Sequence, residues 1–311
     1  MRRSIEDFFD NLDFLQVETP IIVRSPGAEV HLDYFETNYQ SHTLNHSQLF
    51  LRSSPEIHLK QLLRGEGPGI YEIGPCYRNG GELSQWHHPE FTMLEWYSKT
   101  PDLAKFMKQT VDLLHFTADS FEDQCKIQLP QKFEILTMYE AFENYLGIPL
   151  VDGDTELAAK GKDRGFISLR EDDDFETAYF KLIIDGIEPE LRKLPAVIIH
   201  DYPPSQASLA QVIDHRAKRF EIYIDGIELC NAFQELLDPA LNQERLNRTN
   251  HLRREITKPE IPVDPHFING LHNSQPYCGN ALGVDRWLAL VLGLDAIDTI
   301  IPFRNNLYPD L

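Results

Sequence analysis

Residues 71–97 read YEIGPCYRNGGELSQWHHPEFTMLEWY. Two strand-like runs flank a polar loop that contains Gly80 and Gly81. The first run ends at Arg78, and the second alternates apolar, aromatic and acidic residues from Phe91 to Tyr97. A short connection of this kind joins antiparallel neighbours, so the stretch predicts strand–loop–strand. Its loop puts Arg78 at one rim and His87, Glu90, Phe91, Glu95 and Tyr97 at the other. A guanidinium at a strand end matches phosphate oxygens, and an aromatic face can carry a purine. Singly, each feature is weak: an isolated arginine is usually a surface residue and an isolated phenylalanine usually core.

Working outward, Ile5, Phe8, Phe9 and Leu12 repeat at helical spacing, so the chain opens on an amphipathic helix. Residues 14–23 (FLQVETPIIV) read as a strand broken at Pro20. Residues 54–65 (SPEIHLKQLLRG) predict a helix with Ser54 as N-cap, Pro55 at its first position and Gly65 ending it. GEGPG at 65–69 precedes a strand and reads as a turn. Downstream, residues 103–116 are helical by period. Residues 137–147 form a second helix with a Thr137/Glu140 capping box. Residues 150–195 are less regular. Their REDDDFE run predicts a solvated helix start rather than a metal site, because adjacent acids do not share a helical face. PAVIIHDYP is a strand, residues 240–256 a polar helix, and CGNALGVDRWLALVLGL a glycine-rich strand end running into a buried helix. The sum is an α+β chain whose mostly antiparallel sheet is flanked by helices.

Charged residues make up 25% and apolar residues 42% of the 311, the balance of a globular protein. Lys plus Arg is 29 against 49 Asp plus Glu, a net charge of −20. That charge opposes nonspecific nucleic-acid binding, which depends on phosphate neutralisation. No run approaches the ~18 apolar residues of a membrane helix. Four scattered cysteines suggest neither a disulfide framework nor a zinc site. With no apolar signal core after Met1, the expectation is a reduced cytoplasmic protein.

A second informative stretch is RFEIYIDGIELCNAFQEL, residues 219–236. Asp225-Gly226 between β-branched runs is a two-residue hairpin signal. In strict register Ile224 faces Ile227, Tyr223 faces Glu228 and Glu221 faces Cys230. Glu221 and Glu228 then share a face as diagonal neighbours and can hold a Mg²⁺ that also touches phosphates. Two solvated glutamates are the equal alternative. Strict alternation sends Asn231, Phe233 and Glu235 to the other face, unless a bulge after Glu228 turns them back. Two arginines, Arg78 and Arg286 (in GVDR), with an acidic pair and an aromatic shelf suggest a nucleotide site. There is no P-loop and no dinucleotide fingerprint.

These segments in this order resemble the catalytic domain of class II aminoacyl-tRNA synthetases. FLQVETPII resembles motif 1, CYRNGGELSQWHHPEFTMLEWY motif 2 and GNALGVDRWLALVLG motif 3. SPEIHLK, PEFTMLEWY and GIELCNAFQEL point to the lysyl subgroup. SQASLAQV at 205–212 and NALGVDR resemble its stand-alone paralogues, which ligate (R)-β-lysine to elongation factor P. The resemblance implies one catalytic domain over 1–311, with 150–195 as a helical, more variable insertion. The chain starts in the helix before motif 1, so no anticodon-binding domain is expected. It implies ATP and Mg²⁺, (R)-β-lysine or lysine as substrate, elongation factor P rather than tRNA as acceptor, and a homodimer formed through motif 1.

Carried over, Arg78 and Arg286 become the catalytic phosphate arginines. ATP contacts fall on Arg78, Asn79, Glu82, His88, Phe91, Glu228, Leu229 and Arg286. The metal pair is Glu221 and Glu228. The amino-acid pocket is Ser54, Glu56, Glu95, Tyr97, Asn231, Phe233, Glu235, Ala281 and Gly283. Glutamates suit a ligand with two ammonium groups, since a buried cation needs a partner. Ala281 stands where lysyl synthetases have glycine and the ligases alanine. There are departures. One residue is inserted after Asn79, so the adenine-contacting glutamate is displaced to Glu82 or missing. Gln85 replaces a common loop arginine, and His88 replaces an asparagine. Three alternatives remain: a lysyl-tRNA synthetase fragment, an amide synthetase acting on a small amine, and a non-catalytic amino-acid-binding relative.

Overall fold

The computed structural model describes residues 1–40, 47–63, 67–81 and 84–302. The helix stop expected at Gly65 and the candidate adenine contact Glu82 therefore lie outside the described residues. The chain forms two compact units, Met1–Ile127 with the segment from Leu236 onward, and Gln128–Glu235.

In the first unit, Ile70–Tyr77 and Glu90–Ser98 pair antiparallel from Ile70 opposite Tyr97 to Tyr77 opposite Glu90. Cys278–Gly283 pairs antiparallel with the far side of Glu90–Ser98. Leu15–Gln16 lies parallel to Ile70–Tyr77. Pro20 breaks residues 14–23 as expected: Ile22–Val23 joins a separate three-stranded sheet with Ser47–Leu51 and Glu36–Tyr39. Arg52 and Glu72 form a buried ion pair at 2.5 Å. Both also bond the Thr19 hydroxyl, which pins the broken segment to the sheet.

The opening helix, Arg2–Asp10, spends its apolar face inside this unit. Phe9 is fully buried, stacks on Tyr71 at 4.5 Å and meets Trp96 at 5.7 Å between ring centroids. Ile5 and Phe8 are buried with it, while Leu12 lies past the helix end and is exposed. Three of the four residues on the apolar face of this helix are thus core. The helix Leu103–Asp119 starts on an Asp102 side-chain cap and adds Phe106 to the same aromatic cluster.

In the second unit, Arg216–Ile224 pairs antiparallel with both Ala196–Tyr202 and Ile227–Gln234, and Glu134–Thr137 lies parallel to Ala196–Tyr202. The capping box at Thr137 and Glu140 is present. A single π-helical turn, Phe142–Leu146, follows and closes on Gly147 in the left-handed region. Asp174 caps the helix Phe175–Leu182, as the acidic run predicts. Helices Leu157–Asp163, Phe175–Leu182 and Glu188–Leu191 bury Leu157, Tyr179, Leu182 and Leu191 in this unit's core.

Asp225 (φ 48°) and Gly226 (φ 74°) both take the left-handed conformation of a type I′ turn. Glycine is required twice over at 226, because a Cβ there would stand 2.9 Å from the Arg192 Cα. The register runs Ile224 opposite Ile227 and Tyr223 opposite Glu228, then jumps to Ile222 opposite Cys230. Leu229 is the extra residue of a β-bulge. The expected Glu221–Cys230 pairing is corrected to Glu221–Asn231. The bulge changes the alternation by one, so Asn231, Phe233 and Glu235 return to the face that carries Glu221 and Glu228.

Candidate active site

In the first unit, the acidic pair sits where a strand faces a helix start. Glu95 is central in Glu90–Ser98 and almost completely buried. Ser54 Oγ donates to Glu95 Oε2 at 2.6 Å, and the Tyr97 hydroxyl donates to Glu95 Oε1 at 2.5 Å. Ser54 also accepts from the Glu56 N–H at 3.0 Å. It stands one residue further from the helix than expected, because Glu56–Leu62 begins with Pro55 in the cap position. Glu56 accepts from the buried Lys60 ammonium at 2.5 Å, one helical turn on.

Burial pushes the Glu95 carboxyl up to about 7; the Glu56 charge adds to this, while Ser54, Tyr97 and Lys60 oppose it. A carboxyl so perturbed is poised to take a cation. Ala281 lies directly opposite Glu95, so its methyl projects on the same face of the sheet. Gly283 is two positions on, opposite Met93.

The residues of this unit expected to contact a nucleotide gather around the other end of the same two strands. The Arg78 N–H donates to the Pro89 carbonyl at 2.9 Å, closing the base of the loop. Its guanidinium lies over the Phe91 ring, 5.2 Å from the centroid, and its Nε is buried without an acceptor among the described residues. A buried donor in that state calls for an acceptor such as a phosphate oxygen. The Asn79 N–H donates to the Asp33 carbonyl at 3.0 Å, and Gly80 follows in the left-handed region. His88 is buried, and its Nδ1 bonds the Glu90 carbonyl at 2.6 Å.

Arg286 stands at the start of the helix Val284–Val291 and turns toward the loop. Its Nε donates to the Trp86 carbonyl at 3.1 Å and its Nη2 to His87 Nε2 at 2.8 Å. A guanidinium only donates, so the His87 proton is on Nδ1, which faces Ser84 Oγ at 2.7 Å. Asp285 accepts from the Thr92 N–H at 2.6 Å and locks this helix to the strand that bears Phe91.

In the second unit, Glu221 is buried, with Oε1 bonded to Arg219 and Oε2 accepting from the Tyr202 and Tyr223 hydroxyls, each at 2.7 Å. Arg219 also donates to Asn231 Oδ1 at 3.0 Å and stands 5.9 Å from the Phe233 centroid. Glu228 is exposed, Leu229 and Glu235 are buried, and Glu235 forms a bridge with Ala210. Among the described residues, no group of three or more His, Cys, Asp or Glu is arranged around a metal position. Glu221 and Glu228 lie on one face of the hairpin, and two carboxylates can share a Mg²⁺ shell with phosphate oxygens and water.

The residues that sequence reasoning missed are supporting ones. Arg219 stands two before Glu221, Lys60 four after Glu56, and Asp285 beside Arg286. Each lay within one strand or helix repeat of a named residue, which is the signal that could have found it.

Comparison with known proteins places the chain in a family. The family model of class II tRNA synthetases (D, K and N) matches residues 1–307. The elongation factor P–(R)-β-lysine ligase of Proteus mirabilis is 37% identical over 96% of this chain and 91% of its own length. The like-named protein of Hamiltonella defensa is 35% identical over 97% of this chain and 92% of its own. That of Salmonella arizonae is 38% identical over 96% and 91%. With an α+β sheet that is mostly antiparallel and a family model spanning residues 1–307, the chain belongs to the class II tRNA synthetase family that includes the D, K and N enzymes.

Proposed function

We propose that this protein is an ATP-dependent ligase that activates (R)-β-lysine, or lysine, as an aminoacyl-adenylate and transfers it to a lysine side chain of elongation factor P. One observation carries the reading. The buried Glu95, with Ser54, Glu56 and Tyr97 around it, makes a cation-binding cluster in a chain 35–38% identical to relatives named for that ligation. The net charge of −20 further favours a protein acceptor over tRNA.

In the first step, a carboxylate oxygen of the amino acid attacks the α-phosphorus of ATP. The bond to the bridging oxygen breaks, and pyrophosphate leaves. Arg78 offsets charge at the α-phosphate, Arg286 offsets charge on the departing phosphates, and Phe91 carries the purine. No protein base is required, because the attacking carboxylate is already ionised; the contribution is positioning and charge. Mg²⁺, held by Glu228 and Glu221, supplies charge neutralisation when bound. Glu95 and Glu56 pair the ammonium groups of the amino acid; the roles of Asn231 and Glu235 toward the same ligand rest on the family resemblance. In the second step, the ε-amine of the acceptor lysine attacks the acyl carbon. An amide forms, AMP leaves, and the amine gives up a proton.

We also assign a homodimer in a reducing, cytoplasmic setting, with residues 1–311 acting as one catalytic domain. Leu15 and Ile22 in the motif 1 stretch are about half exposed and offer apolar surface for a second copy. All four cysteines are free, and no described helix is long and apolar enough to cross a membrane.

The test is incubation with ATP and labelled (R)-β-lysine or L-α-lysine, in the presence of elongation factor P or tRNA. The reading requires an alkali-stable amide on the factor. Label found only as an alkali-labile ester on tRNA would replace it with the synthetase reading.

A further inference from the structure

Arg219 precedes Glu221 by two residues on the strand Arg216–Ile224, so both side chains leave the sheet on one face. Asn231 stands opposite Glu221, and Phe233 stands opposite Arg219. The guanidinium commits three directions. Nε donates to Asn231 Oδ1 at 3.0 Å, Nη1 to the Gln206 carbonyl at 3.0 Å, and Nη2 to Glu221 Oε1. The Tyr202 ring lies beneath it, 4.5 Å from centroid to guanidinium carbon. Only an acceptor can face Nε, so the Asn231 amide is fixed with its oxygen inward and its NH₂ turned away. That NH₂ is a donor for an anionic group such as the carboxylate of an amino acid. Glu221 is held just as firmly, by the same cation and by two tyrosine hydroxyls. One planar, rigid fork therefore grips two groups that the ligase reading assigns to different ligands: Glu221 to Mg²⁺·ATP and Asn231 to the amino acid.

We propose that Arg219 is a positioning residue that couples the two ligands, so that Mg²⁺·ATP at Glu221 sets the amide of Asn231 for the amino-acid carboxylate. The inference rests on the proposed function. When Glu221 turns toward a metal ion, the fork bonded to its Oε1 turns with it, and the Asn231 oxygen must follow the Nε proton. A lysine in place of Arg219 would keep a cation for Glu221 but could not hold both partners in one plane.

The test measures lysine binding by calorimetry, with and without Mg²⁺ and a non-hydrolysable ATP analogue, in wild type and Arg219→Lys. The coupling factor is the ratio of the two affinities. A purely structural residue lowers both affinities together and leaves that ratio alone. The expected result is a coupling factor at least ~5-fold smaller in Arg219→Lys, at the lower end of ordinary coupling between sites. A factor within twofold of wild type overturns the proposal. Wild type that binds no lysine under either condition overturns the proposal together with the ligase reading. Should Arg219→Lys fail to fold, wild type labelled at asparagine serves instead, with the Asn231 side-chain NH₂ resonance identified by its loss in Asn231→Ser. Mg²⁺ and the analogue, added without lysine, are expected to move that resonance; a resonance that stays in place overturns the coupling.

Discussion

Replacing Glu95 by glutamine separates what the buried carboxylate costs from what it does. Its carboxyl is raised from an ordinary 4.5 to about 7, chiefly by burial and secondly by the charge of Glu56. Each tenfold change in proton affinity is worth ~1.4 kcal/mol, so ionising Glu95 in the unliganded protein withdraws about 3 kcal/mol of stability. The direction follows from the raised value. Below pH 4.5 the group is protonated in both folded and unfolded chains, and nothing is lost. Between 4.5 and 7 the folded state holds the proton more tightly, so stability falls as pH rises. Above 7 the loss is complete. Glutamine does not titrate. The Ser54 and Tyr97 hydroxyls can turn to suit it, and any residual cost is a constant offset that leaves the pH dependence untouched. The assay is urea unfolding from pH 4.5 to pH 8, followed by the fluorescence of the buried Trp96 and Trp287. Relative to wild type, Glu95→Gln should gain about 3 kcal/mol across that range, or roughly 1 M in midpoint at a slope near 3 kcal/mol/M. Lysine affinity should fall at least ~10²-fold, because an ammonium is left without its buried partner. A difference in midpoint that is the same at pH 5 and pH 8 would refute the reasoning.

Three further outcomes are expected. Arg78→Ala should slow amino-acid-dependent ATP–pyrophosphate exchange by about 10²–10³-fold through loss of a charge-assisted contact, and exchange at the full rate would remove Arg78 from the chemistry. Wild type should prefer (R)-β-lysine over L-α-lysine, and Ala281→Gly should narrow the ratio of kcat/KM values from a starting point of about 10–200-fold. The methyl opposite Glu95 would crowd an α-ammonium and leave room for one a carbon further on; an unchanged ratio would show that Ala281 serves backbone packing alone. Sedimentation should give twice 36.0 kDa for wild type and a lighter species for Ile22→Asp, while a 36.0 kDa wild type at micromolar concentration would exclude the motif 1 dimer.

The fold was legible where local chemistry and tertiary packing agree. The two strands of the opening stretch, the Thr137 capping box, the Asp225-Gly226 turn and the break at Pro20 each rest on short-range rules. Three matters were not legible, for physical reasons. The same apolar stripe of Ile5, Phe8 and Phe9 serves equally for a core or for an interface, and only Tyr71 and Trp96 on distant strands decide it. Strand propensity alone does not call for a bulge, so the one found at Leu229, directly after Glu228 as expected, could be required only from the return of Asn231 to the site face. The supporting cations Arg219 and Lys60 stand within one repeat of Glu221 and Glu56, but a cation at that spacing reads equally as a solvated surface residue until the fold brings the pair together. Glu221 and Glu228 could be named from the spacing of the hairpin, Glu56 and Glu95 only through the family resemblance. What neutralises them was not named.

The bulge at Leu229 also bears on how this protein can change over generations. Side chains on a strand are sorted by counting, and Leu229 is the single count that places Glu228 and Asn231 on one face. Swapping the residue for another that fits its buried position leaves the count intact. Losing it would send Asn231, Phe233 and Glu235 into the opposite layer at once and bring Ala232 and Gln234 out in their place. Between these two residues the chain therefore tolerates changes of letter far better than changes of length, and a deletion would have to come in pairs along the strand to keep the site readable.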